Sequence, residues 1–139
     1  MNQRTARELV IQSLFQIDFS DCEPEAALSA AIDLYNESAL KQTNTDNIRF
    51  LLNGIITKLP EIDQRITEFA TGWTLDRMPS VDRNILRLAV YELFFADNII
   101  DTPIIINEAV EIAKAYGTDD TPRFINGVLG KMVRTYGKS

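Results

Sequence analysis

Apolar side chains recur every three or four residues along almost the whole chain, and this spacing decides the fold class. In the first segment Val10, Leu14 and Ile17 follow it, which places them on one face of a helix. Comparable stripes, several beginning at a proline, predict helices over about 4–18, 24–37, 45–58, 60–72, 81–96, 102–116 and 121–135. We therefore expect an all-α protein of about seven helices.

The segment at about 81–96 differs from the others because apolar residues lie on nearly all of its sides. This pattern is typical of a helix buried at the centre of a bundle. Ser80 precedes the segment and is expected to cap it. The apolar runs 94–95 and 104–106 are also compatible with strand, although Pro103 and the later spacing favour helix for the second run.

Segments from the two parts of the chain resemble each other in the same order. Residues 83–86 follow the pattern of residues 7–10, and residues 125–127 follow that of residues 52–54. Amphipathic helices also resemble each other by chance, and this is the alternative to a repeat. The repeat is favoured because the matched segments keep their order.

The repeat predicts two three-helix units within a single domain over residues 1–139. The two halves extend over about 1–58 and 80–139, and the helix at about 60–72 links them. No glycine- or serine-rich linker marks a flexible boundary between them. We therefore expect both halves to share one domain.

Two glycines, Gly54 and Gly127, fall in the middle of predicted helices. A glycine in a helix interior costs about 1 kcal/mol relative to alanine. We expect a close approach of a second helix at both positions to offset this cost.

The composition argues against catalysis. The chain has no histidine and a single cysteine, Cys22, which excludes histidine general bases, Ser-His-Asp and Cys-His systems, and histidine-ligated metals. No glycine-rich phosphate loop is present. The acidic pairs at 119–120 and at Glu108 and Glu111 fit a helix cap and a solvated helix face. We therefore expect no enzyme activity, no metal and no cofactor.

Other features of the sequence predict a location and a charge distribution. A lone cysteine, the absence of a secretory signal and the lack of an apolar run of about 20 residues predict a cytoplasmic protein without a membrane span. The net charge is −6, which by itself argues against nucleic acid. However, residues 121–139 contain four basic and no acidic residues, and residues 1–12 are also basic. The charge is therefore strongly uneven along the chain.

Both basic ends combine arginine with an aromatic ring. On the first helix Arg4, Arg7 and Phe15 share a stripe, with Gln12 beside it. Arg123 and Phe124 repeat this combination at the beginning of the last helix, where free amides also favour a phosphate. Arginines on phosphates and a ring for base stacking are the means of holding single-stranded nucleic acid. The alternative is that Phe15 lies at the edge of the core.

Three further residues have structural interpretations. Arg83 and Arg87 lie one turn apart on the apolar helix and are expected to pair with acids such as Glu92 or Glu108. Trp73 lies between predicted helices and is expected to fill the core where the halves join.

Three blocks of the sequence resemble the NusB family of bacterial transcription antitermination factors. They are residues 77–93 (RMPSVDRNILRLAVYEL), 106–114 (INEAVEIAK) and 124–129 (FINGVL), in the order and spacing of the family. Arg7-Glu8 with Gln12 and Phe15 is similar to its first helix. The resemblance covers essentially the whole chain, and the combination of blocks is specific.

The resemblance implies an all-helical fold of two three-helix units and a factor without catalytic activity or cofactor. It also implies binding to the single-stranded boxA element of ribosomal RNA leaders, together with the ribosomal protein NusE, within an antitermination complex on RNA polymerase. The RNA-binding positions carried over are Arg4, Arg7, Gln12, Phe15, Asp120, Arg123 and Phe124. The NusE-binding positions carried over are Asp76 and Asp82.

One departure from the family concerns the N-terminus. Many members have a run of three or four arginines, whereas this chain has only Arg4 and Arg7. Fewer phosphate contacts predict weak RNA binding by the chain alone and a stronger dependence on the partner. The alternative function is a protein-only helical adaptor or a homodimer without specific RNA binding, and the resemblance leaves the oligomeric state open.

Overall fold

The structure, a computed structural model, describes residues 3–35, 45–96 and 100–137. This part of the chain forms seven α-helices and no strand: α1 (Gln3–Ser20), α2 (Pro24–Asp33), α3 (Thr45–Thr57), α4 (Leu59–Phe69), α5 (Ser80–Phe94), α6 (Thr102–Tyr116) and α7 (Thr121–Tyr136). The all-α prediction is confirmed, and residues 104–106 are helical rather than extended. The second helix ends at Asp33, and residues 36–37 of its predicted extent lie outside the described residues.

The first compact unit, Met1–Thr57, contains α1, α2 and α3. α1 packs against both of the other helices. Its Leu9 and Leu14 are buried together with Leu28 of α2 and Ile48 of α3. Burial of each such side chain contributes about 1.5–3 kcal/mol before the loss of conformational entropy is subtracted. The predicted apolar stripes form the core of this unit only in part, because Phe50 of α3 and Leu34 after α2, both predicted to lie inward, are 66% and 79% exposed.

The second compact unit, Lys58–Ser139, contains α4 to α7. α5 is its central helix because it packs against α4, α6 and α7. Eleven of the fifteen residues of α5 are buried, which confirms the prediction of a buried helix. α4, which we expected to link the two halves, packs against α5 and α7 inside this unit.

The helix starts follow the proline signals better than the cap signal. Prolines occupy the first turn of α2, α4, α6 and α7, as the sequence predicts. The prediction that Ser80 caps α5 is wrong. Pro79 occupies the cap position without a side-chain hydrogen bond, and Ser80 is the first helical residue. The Ser80 hydroxyl instead accepts a hydrogen bond from Asn84 Nδ2 at 3.1 Å.

The glycines of the second unit differ in the space around them. A β-carbon added at Gly127 would meet no atom within 4 Å, so the predicted close helix contact at this position is wrong. A β-carbon at Gly117, the residue that ends α6, would lie only 2.5 Å from the side chain of Thr121. The close approach that requires a glycine is therefore made in the loop between α6 and α7.

Candidate nucleic-acid interface

The beginning of α7 brings an arginine and an aromatic residue together in the second unit. Asp120 and Arg123 are exposed there, and Phe124 is half-buried. The ring of Trp73 lies edge-on to Phe124, with centroids 6.4 Å apart and an interplanar angle of 64°. Trp73 is 47% exposed. An open aromatic ring close to a guanidinium can stack on a nucleic-acid base while the charge meets a phosphate.

The position of Trp73 corrects the prediction that it fills the core. The indole lies on the surface in the connector between α4 and α5, directly after Gly72, whose φ is +86°. Such a backbone angle favours glycine. Sequence reasoning therefore missed Trp73 as a candidate functional residue. The available signal was its setting, since Thr71, Gly72 and Thr74 make a polar turn around it rather than an apolar stripe.

The buried residue Thr121 connects the first turn of α7 to its neighbours through hydrogen bonds. The Thr121 hydroxyl donates a hydrogen bond to Asp82 Oδ1 at 3.2 Å and accepts one from the backbone amide of Thr118 at 3.1 Å. Asp120 occupies the cap position of α7 but makes no side-chain cap hydrogen bond. The capping function expected for the acidic pair is therefore not visible at Asp120, whose carboxylate faces solvent.

Asp82 is buried in the first turn of α5. Burial removes water from its carboxylate and raises the pKa of Asp82 above its ordinary value, while the hydrogen bond from Thr121 opposes this shift. We predicted Asp82 as a partner-binding residue. Its burial differs from that prediction, because a side chain beneath the surface offers little area to a partner.

The other predicted partner residue, Asp76, is exposed on the connector between α4 and α5. Arg83 of α5 holds this connector in place. Its Nη1 atom donates to the carbonyl oxygens of Leu75 at 2.8 Å and Met78 at 3.3 Å. The connector is therefore held in a defined conformation, and the exposed Asp76 lies on it shortly before the first residue of α5.

The predicted stripe on α1 belongs to the first unit and is only partly on the surface. Arg4, Gln12 and Phe15 are half-buried, whereas Arg7 is 5% exposed and Ile11 is fully buried. The spacing of three and four residues placed Arg4, Arg7, Ile11 and Phe15 on one stripe and left open whether Phe15 lies at the edge of the core or is partly exposed. The stripe fails at Arg7 and Ile11 because α1 is buried on more than one side. Phe15 keeps part of its ring accessible.

Metal sites and membrane spans would indicate other functions. In residues 3–35, 45–96 and 100–137 no group of three or more potential ligand side chains is arranged to hold a metal ion. Among the helices of these same ranges, none is long and apolar enough to cross a bilayer.

The NusB family profile matches residues 4–134 of the chain. The chain belongs to the NusB family. The transcription antitermination protein NusB of Bacillus licheniformis is 42% identical and covers 95% of this chain and 96% of its own length. The solved NusB of T. maritima is 36% identical, with a TM-score of 0.82 over 96% of this chain and 92% of that one. The resemblance found in the sequence is thereby confirmed.

The NusB fold is shared with a more distant structure. A crystal structure of the antitermination factors NusB and NusE in complex with double-stranded RNA matches 98% of this chain and 100% of that one, with a TM-score of 0.80 at 24% identity. At this identity the likeness concerns the fold alone. The functional positions of this NusB-family chain are therefore assessed from its own residues.

Proposed function

We propose that this chain is a transcription antitermination factor that binds boxA-type single-stranded RNA of ribosomal RNA leaders together with NusE. It acts in the cytoplasm, as part of an antitermination complex on RNA polymerase, and promotes processive transcription. It binds and positions other molecules and carries out no covalent chemistry. Membership of the NusB family and the name of its relatives support the antitermination role.

The observation that carries the RNA-binding proposal is the edge-on contact of the exposed Trp73 ring with the half-buried Phe124, the residue that follows the exposed Arg123. Stacking of a base on such a ring contributes about 1–3 kcal/mol and tolerates any base. Arg123 supplies charge for a phosphate, and the exposed Asp120 supplies an acceptor for the amino groups of bases. An acidic chain that gathers these groups at one helix start is suited to a single RNA strand.

The first unit contributes a second RNA contact in this proposal. Arg4, Gln12 and Phe15 retain accessible surface on α1 and are assigned direct contact with RNA. Arg7 is 5% exposed, and a guanidinium needs an open path to meet a phosphate. We therefore assign Arg7 the support of its neighbours on α1 rather than a phosphate contact in this conformation.

For NusE, the proposal assigns direct contact to the exposed Asp76 on the connector before α5. The buried Asp82 is assigned an indirect contribution, because its hydrogen bond to Thr121 joins the start of α5 to the start of α7. Self-association of this chain is the competing use of these surfaces, and a homodimer would compete with RNA or NusE for them. RNA and NusE titrations by analytical ultracentrifugation separate the two cases.

The direct test is fluorescence anisotropy of a labelled boxA-like RNA and of the same RNA with its bases scrambled, each with and without NusE. Trp73→Ala and Phe124→Ala should each weaken binding by about fivefold or more, since each removes a stacking surface worth about 1–3 kcal/mol. Phe50→Ala is the matched control, because Phe50 is an exposed ring on α3 and is not among the residues assigned to RNA binding. Its RNA affinity should equal that of the unmodified protein.

The outcomes separate the two functions. Preference for the intact RNA, strengthened by NusE and reduced by Trp73→Ala but not by Phe50→Ala, supports the antitermination role. Equal weak binding to both RNAs in every condition contradicts RNA recognition. It would favour the protein-only adaptor, whose partner would then be sought at the connector that carries Asp76.

A further inference from the structure

A buried hydroxyl group stands directly beneath the proposed RNA surface of the second unit. Thr121 is the first residue of α7 and is 2% exposed. Its hydroxyl donates to Asp82 Oδ1 on α5 and accepts from the backbone amide of Thr118 in the preceding loop. One hydroxyl therefore ties the start of α7 to two other parts of the unit. A hydroxyl can donate and accept at once, whereas a methyl group can do neither.

The loop between α6 and α7 packs tightly against the Thr121 side chain. A β-carbon at Gly117 would lie 2.5 Å from both Cβ and Oγ1 of Thr121. Gly117 therefore permits the loop backbone to pass directly over the threonine. Two residues after Thr121 comes the exposed Arg123, and the next residue is Phe124, whose ring meets Trp73 at 6.4 Å. The direction of the first turn of α7 thus determines where these groups lie.

We infer that Thr121 is a positioning residue for the nucleic-acid surface formed by Trp73, Arg123 and Phe124. Its hydroxyl, held between Asp82 and the amide of Thr118, fixes the first turn of α7 so that the phenyl ring stays against the indole. This inference deepens the proposed function and rests on it. A surface that is ordered before binding loses less conformational entropy when RNA arrives.

The first test requires no RNA. Trp73 is the single tryptophan of the chain, so its fluorescence reports directly on the neighbouring Phe124. Thr121→Val keeps the shape of the side chain and removes the hydroxyl, and we expect it to raise the acrylamide quenching constant of Trp73. Thr121→Ser keeps the hydroxyl and should restore the quenching constant of the unmodified protein. Thr135→Val is the matched control, since Thr135 is exposed on the same helix about 21 Å away from Thr121.

The second test measures affinity for the boxA-like RNA by anisotropy. Thr121→Val should bind about fivefold more weakly, the effect of losing a hydrogen bond worth about 1 kcal/mol. Thr121→Ser and Thr135→Val should bind within about twofold of the unmodified protein. Asp82→Ala should weaken binding as Thr121→Val does, and the double variant should be no weaker, because both changes break the same bond. Thermal melts establish that each variant is folded at the assay temperature.

Each result bears on a different claim. A changed quenching constant with reduced affinity in Thr121→Val, both restored by serine, supports the positioning role. A merely structural threonine would lower the melting temperature without changing either readout in the folded protein, and that result overturns the inference. Equal losses in the valine and serine variants also overturn it, because the hydroxyl would then be irrelevant. Unmodified protein that does not distinguish boxA from scrambled RNA refutes the proposed function, while the quenching series still decides whether Thr121 holds Phe124 in place.

Discussion

The contribution of a charged side chain to the stability of this protein depends on how deeply the side chain is buried as much as on its ion-pair partner. In the second unit Arg87 of α5 donates to both carboxylate oxygens of Asp63 of α4 at 2.9 and 3.0 Å. The side chains of Arg87 and Asp63 are only 9% and 21% exposed. In the first unit Arg49 and Glu25 also pair across two helices at 2.8 Å, but with 41% and 65% exposure. Water screens the exposed Arg49–Glu25 pair far more strongly than the Arg87–Asp63 pair.

Removing Arg87 should therefore destabilise the protein much more than removing Arg49. Arg87→Ala leaves the carboxylate of Asp63 half-buried without its bidentate partner, and we expect a loss of roughly 2–4 kcal/mol in the free energy of unfolding. Arg49→Ala is the matched control and should leave the urea midpoint almost unchanged. Equilibrium urea unfolding followed by circular dichroism measures both. Equal midpoints for the two variants would contradict the assignment of Arg87–Asp63 as a structural pair.

The raised pKa of Asp82 predicts a particular dependence of stability on pH. Between its ordinary pKa of 3.8 and its higher pKa in the folded state, the folded protein binds more protons than the unfolded chain. The contribution of Asp82 to the free energy of unfolding therefore falls as pH rises through this interval. Asparagine does not titrate, so Asp82→Asn lacks this pH-dependent contribution. The free energy of unfolding of the variant minus that of the unmodified protein should therefore increase from about pH 4 upward. It levels off once Asp82 is ionised in the folded protein as well. Urea unfolding of both proteins across this range measures the difference, and a constant difference would contradict it.

At the residue scale, the sequence indicated which residue types could contact RNA, but it did not show how deeply each of them is buried. Arg123 is exposed and Phe124 is half-buried in the first turns of α7, and their place in a helix followed from local signals. The exposure of Trp73, the burial of Arg7 and the pairing of Arg87 with Asp63 depend on which helices meet. Such tertiary contacts join residues distant in sequence, so periodicity along one helix contains no information about them.

The helices themselves were the most predictable elements. Starts at prolines and the central, buried character of α5 followed from local signals, and both are confirmed. The end of α2 and the cap of α5 were less predictable. Helix ends depend on hydrogen bonds to groups outside the element, and several residues can satisfy them almost equally well.

The glycines around α7 allow a prediction for this element. Gly127 lies inside the helix, is exposed, and a β-carbon there would meet nothing within 4 Å. Gly127→Ala should therefore raise the free energy of unfolding by about 0.5–1 kcal/mol, because alanine loses less backbone entropy on folding. Thermal and urea unfolding measure the gain. A loss of stability would mean that the helix face carrying Gly127 is packed.

Gly117→Ala should have the opposite effect. The added β-carbon would lie 2.5 Å from the Cβ atom of Thr121, which cannot rotate away because it is bonded to the helix backbone. The loop or the start of α7 must then shift, and we expect a loss of about 1–3 kcal/mol in the free energy of unfolding. Acrylamide quenching of Trp73 should increase in the same variant. Unchanged stability and quenching would show that the loop yields without moving α7.

At the scale of the whole molecule, the proposed RNA binding depends on the local distribution of charge as well as on the net charge. The chain carries −6 overall, yet its last nineteen residues, 121–139, contain four basic and no acidic residues. A strand of RNA interacts with charges within about one Debye length, about 10 Å at 0.1 M salt. At the start of α7 the charge of Arg123 is therefore opposed by the neighbouring exposed Asp119 and Asp120. The proposed RNA contact needs base stacking on the aromatic rings in addition to this charge. The uneven charge and the two combinations of arginine with an aromatic ring predicted RNA binding, whereas the antitermination role was implied by the resemblance to the NusB family.

The two basic surfaces should contribute separately to the salt dependence of RNA binding. Each arginine that meets a phosphate of single-stranded RNA adds about 0.7 to the slope of log affinity against log salt. Arg4→Ala and Arg123→Ala should therefore each flatten the slope by about 0.7, and the double variant by about 1.4. Lys114→Ala is the charge-matched control, because Lys114 is 61% exposed and pairs with Glu111 on α6; its slope should not change. Anisotropy titrations at four salt concentrations give the slopes. If Lys114→Ala flattened the slope as much as Arg123→Ala, RNA would be responding to net charge alone, and the assignment of a defined surface at α7 would be wrong.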